Sequence, residues 1–146
     1  MTNQEIAHAF DKVAFFLALK DENEFKINAY SRAAKSLREL PVPVEDLLLA
    51  GEDLTKIDGI GKVLAQKIED LVIIGSFKML DELLAEFPDS LYEMSQIKGV
   101  GPRTIFKIFD AHRIRSLEEL RCFLQSGEKL AIPAPYECRI KEFFKK

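Results

Sequence analysis

Residues 57–68 read Ile-Asp-Gly-Ile-Gly-Lys-Val-Leu-Ala-Gln-Lys-Ile, and residues 97–108 read Ile-Lys-Gly-Val-Gly-Pro-Arg-Thr-Ile-Phe-Lys-Ile. Superposed, Ile57 meets Ile97, Gly59 meets Gly99, Ile60 meets Val100, Gly61 meets Gly101, Ala65 meets Ile105 and Ile68 meets Ile108. In each copy two glycines flank one apolar residue, and a helical pattern follows at once. Gly59 and Gly61 are expected to let the backbone turn tightly and take φ > 0 without a Cβ clash. Ile60 should point inward and pin the bend to the core. The helix that follows begins with free N–H groups, and such a terminus attracts an anion, usually phosphate. Pro102 falls at the first helical position, where a missing N–H costs least.

A third, decayed copy is expected at residues 132–143, Ile-Pro-Ala-Pro-Tyr-Glu-Cys-Arg-Ile-Lys-Glu-Phe. Ile132, Ile140 and Phe143 keep the apolar frame, but Ala134 and Tyr136 replace the glycines, so this copy reads as structural. The pattern resembles the helix-hairpin-helix motif, a DNA-binding unit without sequence readout. One Gly-x-Gly before a helix says little; two in register, each inside the same apolar frame, say much more.

The rest of the chain reads as helices. Thr2 and Glu5 suit a capping box before an amphipathic helix to about Lys20. A second helix is expected over 27–40, ended by Pro41 and Pro43, and a short one over 44–49, stopped by Gly51. The helix after Gly61 should reach Ile74, with Gly75 as its stop. Further helices are expected over 77–87, from Asp89 as a cap to about Ser95, from Pro102 to about His112, from a Ser116–Glu119 capping box to Gly127, and over 136–145. No stretch alternates convincingly enough for a strand. The fold class is all-α, a compact array of short helices, divided into a unit over 1–88 with the first bend and a unit over 89–146 with the second and third.

Composition bounds the function. The chain has 146 residues, 47% hydrophobic and 31% charged, which suffices for a real core. No run of about 18 apolar residues would span a membrane. No basic-then-apolar leader stands at the start, so no secretory signal is expected. Cys122 and Cys138 read as reduced thiols, and His8 and His112 are too few and too distant for a metal site. A net charge of −3 argues mildly against a protein that coats nucleic acid. The distribution is uneven, however. Arg103, Lys107, Arg113 and Arg115 stand against Asp110 alone, and Lys20, Lys26, Arg32, Lys35 and Arg38 form another basic run.

Residues 24–34, Glu-Phe-Lys-Ile-Asn-Ala-Tyr-Ser-Arg-Ala-Ala, together with the two bends that follow, resemble the N-terminal region of family X DNA polymerases, closest to the bacterial PolX branch. The likeness extends over about residues 5–127, and its bacterial branch implies a cytoplasmic location. It implies that Lys26 and Tyr30 contact the phosphate side of DNA. It implies that Gly59, Ile60, Gly61 and Lys62 grip the strand downstream of a gap, and that Gly99, Val100, Gly101 and Arg103 grip the primer strand. The carbonyls of Ile57, Ile60, Ile97 and Val100 would hold a monovalent cation, sodium or potassium, at each bend; no other cofactor is implied. Lys67 falls on the position of the family's lyase nucleophile, which attacks a sugar aldehyde as an uncharged amine. Val63 stands where lyase members carry a second lysine, and Phe25 where animal members carry a histidine. No polymerase activity is expected, because no strands are available for a two-metal palm.

Three functions follow as alternatives. The first is a module that binds gapped, nicked or 5′-phosphate-bearing duplex DNA, with DNA repair proteins as possible partners. The second is a 5′-deoxyribose-phosphate lyase working through Lys67. The third is a protein-interaction adaptor that keeps the hairpin packing without DNA.

Overall fold

The computed structural model describes residues 1–145; residue 146, the last of the 89–146 unit, lies outside them. Among the described residues there are eight α-helices and no strand. They are α1 (Asn3–Leu19), α2 (Glu24–Glu39), α3 (Val44–Leu49), α4 (Lys62–Ile73), α5 (Lys78–Glu86), α6 (Pro102–His112), α7 (Leu117–Gln125) and α8 (Ala134–Lys145). Two 3-10 segments, Leu54–Lys56 and Asp89–Gln96, lead into the two glycine bends. The all-α reading of the sequence is the architecture observed.

Helix α1 is the axis of the core. Ile6, Ala7, Phe10, Val13, Ala14, Phe15, Phe16, Leu17 and Leu19 are all buried, so the helix is apolar nearly all round and must be enclosed. It packs chiefly on α2, and also on α5, α6 and the Asp89–Gln96 segment. Phe10 meets the rings of Tyr30 and Phe77 edge-on, and Phe16 stacks on Phe87 at 5.9 Å. A buried aromatic ring of this kind contributes about 1.5–3 kcal/mol by burial alone. One apolar core therefore runs across residue 88, reinforced by Phe15 against Tyr92 and by Lys12 Nζ on Asp89 at 2.7 Å.

Local signals set most helix ends. Thr2 Oγ1 accepts the Glu5 N–H at 3.1 Å, and Glu5 Oε1 accepts the Thr2 N–H at 2.9 Å, a complete capping box. Helix α2 starts one turn earlier than expected, because the Asn23 side chain accepts the Phe25 N–H at 2.7 Å. Asp89 does not cap its segment. That role falls to Pro88, and the Asp89 carboxylate turns to Lys12 instead. At α7 only half the expected box forms. Ser116 Oγ accepts from the Glu119 N–H, but Glu119 Oε1 accepts from Arg115.

One long-range contact replaces a local cap. Asn3 donates to the Val42 carbonyl at 2.9 Å and accepts the Val44 N–H at 2.8 Å. It thus fastens the proline-rich turn before α3 to the start of α1.

Candidate nucleic-acid interface

Both bends are built the same way. Each 3-10 segment ends in an isoleucine whose carbonyl accepts an N–H three residues on, Ile60 to Ile57 at 3.1 Å and Val100 to Ile97 at 3.3 Å. The middle apolar residue is buried, Ile60 at 3% exposure and Val100 at 6%, and anchors the bend as expected. Gly59 and Gly99 both have φ of +81°, the left-handed region where a Cβ is strained. The following helices, α4 and α6, begin directly behind Gly61 and Gly101.

The second glycine of each pair corrects the sequence reading. Gly61 has φ −92° and ψ −174°, and Gly101 has φ −87° and ψ 175°. That is ordinary extended backbone, open to any residue. A Cβ placed on either glycine would meet nothing within 4 Å. Folding therefore does not require glycine at these two positions. What glycine preserves there is empty space in front of a helix N-terminus.

That terminus is unsatisfied. Neither Gly61 nor Gly101 caps its helix with a side chain, so the first amides of α4 and α6 lack the partner that Thr2, Asn23 and Ser116 supply elsewhere. Gly61, Lys62, Gly101 and Arg103 are all exposed. Pro102 at the first position of α6 removes one donor that would otherwise need a partner.

The charges around the two bends differ. At the first, Asp58 precedes Gly59 and lies 3.6 Å from Arg32 of α2. Asp53 is also close; hydrogen bonds from the Thr55 hydroxyl and amide, with help from Lys56 and Lys62, hold its carboxyl below the ordinary range. At the second bend Lys98 takes the place of Asp58. Arg103 reaches Asp21 at 2.6 Å, a pair exposed on both sides and so weak enough to be recruited by another anion.

Among the remaining expected site residues, Lys26 is exposed near the start of α2, whereas Tyr30 is buried and its hydroxyl donates to the Met79 sulfur at 3.2 Å. Lys67 comes to Tyr30 across the fold. Its ammonium lies 5.7 Å from the Tyr30 ring centre and 5.8 Å from that of Phe77. It lines an open groove of about 580 Å³ together with Val63, Gln66, Asp70, Lys78 and Glu82. The carbonyls of Ile57 and Ile97 each accept one N–H and keep a second lone pair. Neutral oxygen donors of this kind fit a hard monovalent cation.

The third copy forms no comparable bend. Helix α8 already begins at Ala134, so residues 134–136 lie inside the helix instead of before it. Its contribution lies elsewhere. Arg139 Nη1 donates to the Gly99 carbonyl at 2.7 Å. Nothing in the sequence singled out Arg139, which is one cation among several in the last helix.

Comparison with known proteins agrees with this geometry. The family profile described as "Helix-hairpin-helix domain" matches residues 1–77, more than half of the chain, and takes in the first bend. A curated relative, the "DNA polymerase/3'-5' exonuclease PolX" of Bacillus subtilis (strain 168), is 26% identical over 133 residues. That alignment covers 90% of this chain and 23% of the relative, so the chain spans about a quarter of the relative's length.

Proposed function

The chain belongs to the helix-hairpin-helix domain family, and from that premise we propose that it binds DNA through the phosphates, without reading sequence. The uncapped amides behind Gly61 and Gly101 take phosphate oxygens, with Lys62 and Arg103 adding charge. Contacts of this kind position a protein on the duplex and carry no base information. The preferred target is duplex with a gap, a nick or a 5′-phosphate end, as would be met in repair. The carbonyls of Ile57, Ile60, Ile97 and Val100 would hold a monovalent cation, which supplies positive charge opposite the phosphate.

The observation that carries this reading is the second glycine of each pair, free of any steric or conformational need. It also makes the test clean. Gly61→Val and Gly101→Val suit the observed extended backbone, and their Cβ atoms meet no neighbour, so the fold should survive with about 1 kcal/mol lost. Binding of a gapped, 5′-phosphorylated duplex, followed by fluorescence anisotropy, should fall at least tenfold in the double variant. A double variant that melts and binds like the parent would refute the phosphate role of the bends.

A second reading rests on the groove beside Lys67. An amine on a helix, next to a cavity with a second cation at Lys78, suits attack on the aldehyde of a 5′-deoxyribose phosphate. Borohydride should trap a covalent adduct on such a substrate and lose it in Lys67→Ala. An adduct that persists in that variant rules out Lys67 as the nucleophile.

A further inference from the structure

The degenerate third copy has no bend of its own to offer a phosphate, yet one residue of its helix lies against the second bend. Arg139, on α8, donates from Nη1 to the carbonyl of Gly99 at 2.7 Å. Its Cδ lies 2.7 Å from where a Gly99 Cβ would stand, and its Nε 3.1 Å away. The guanidinium also lies over the Tyr136 ring, 5.3 Å from the centroid. Two restraints therefore hold the arginine fork against the turn.

The fork is not otherwise used. Among the described residues Arg139 has no carboxylate within ion-pair distance, whereas Arg103 is joined to Asp21 and Arg32 to Asp58. Glu142 and Lys98 line the same groove of about 300 Å³, with Gln96 and Phe143. A guanidinium has five N–H donors in a fixed plane, and one is spent on Gly99. The remainder face no partner on the protein and suit the oxygens of a phosphodiester, which a fork can engage in pairs.

The first bend has a counterpart. The side chain of Arg32, from α2, lies against Gly59, with Cγ 3.3 Å and Nε 3.4 Å from a virtual Cβ. There Asp58 lies 3.6 Å from the guanidinium in a pair exposed on both sides. The same device thus appears at both turns, and at the second the guanidinium has no carboxylate paired with it among the described residues.

We propose that Arg139 is a phosphodiester-binding residue of the second bend, supplied by the third copy to complete a site that the Gly99–Gly101 turn begins. The proposal rests on the reading of the bends as phosphate sites. The third copy has lost its own turn and keeps a function by lending this one side chain.

The experiment measures affinity for a gapped, 5′-phosphorylated duplex by anisotropy between about 50 and 200 mM salt, in the parent, Arg139→Gln, Arg139→Lys and Gly101→Val. Each phosphate contact neutralised contributes about 0.9 to the slope of log affinity against log salt. Arg139→Gln should weaken binding several-fold and flatten that slope by about one, while its melting temperature stays near that of the parent. Arg139→Lys should restore the slope, since charge is kept, but only part of the affinity, since the fork is lost. If Gly101→Val loses binding and Arg139→Gln keeps both affinity and slope, the role of Arg139 is refuted and the bends stand. A parent that fails to bind the duplex at all refutes both. A flattened slope that lysine fails to restore overturns the charge contact and leaves only a packing role for Arg139.

Discussion

The two glycine bends share one backbone and differ in charge. Both have φ of +81° at the first glycine, extended geometry at the second, a buried apolar anchor between, and an uncapped helix behind. Around the first stand two carboxylates, Asp58 and Asp53, with Arg32, Lys56 and Lys62. Around the second stand Lys98, Arg103 and Arg139, with Asp21 on Arg103 and Glu142 in the Arg139 groove. Backbone geometry thus leaves two equivalent uncapped helix starts, and side chains set a different charge around each. An acidic protein can hold nucleic acid in this way, since a phosphate responds to the local field within about a Debye length of 10 Å more than to net charge.

The largest effect should come from the first glycine of each bend. Alanine at φ near +81° costs about 1–2 kcal/mol in backbone strain at either position. At Gly99 the new methyl would also meet the Arg139 side chain at 2.7 Å, against 3.3 Å from Arg32 and Ser36 at Gly59. Denaturant unfolding should therefore show Gly99→Ala less stable than Gly59→Ala, and adding Arg139→Ala should recover part of the difference. Equal losses in the two single variants would show that Arg139 yields without cost.

Next in size is the split between the bends in binding. Gly101→Val should cost about tenfold in affinity for the gapped duplex, and Gly61→Val several-fold less, because the first bend works against its carboxylates. Equal losses would mean that backbone donors dominate and that local charge is secondary. Asp58→Lys, which gives the first bend the residue of the second, should raise affinity several-fold and steepen the salt slope by about one, for one phosphate contact added. An unchanged slope would place Asp58 outside the reach of the DNA.

The smallest effect is one of pH. The carboxyl of Asp53 is held below its ordinary range, chiefly by the Thr55 hydroxyl and amide. A depressed carboxylate stabilises the fold fully above its unfolded value, and that contribution disappears as pH falls through the lower folded value, below about 4. Asp53→Asn should flatten that acid limb of the stability profile.

Much of this molecule follows from short-range rules. The capping box at Thr2, the stops at Gly51, Gly75 and Gly127, the proline break at 41–43 and the inward apolar residue of each bend depend on neighbours within a few positions. The expectation of φ > 0 held at Gly59 and failed at Gly61. Glycine is also chosen for space, and composition does not separate the two reasons. The early start of α2 at Asn23 was legible in principle, since asparagine is a strong cap. The turn of Asp89 toward Lys12 was not, because the partner lies on another helix.

From the sequence alone came the repeated bend, the all-helical architecture, and the residues that line the two openings, because helix periodicity and glycine or proline punctuation act over one or two turns of chain. Only the tertiary structure placed Arg139 on Gly99, Arg103 on Asp21, and Lys67 between Tyr30 and Phe77. Those pairings join segments far apart in the chain. The Arg103–Asp21 pair follows from the packing of α1 on α6, and no local rule specifies which exposed cation the assembly brings to which turn.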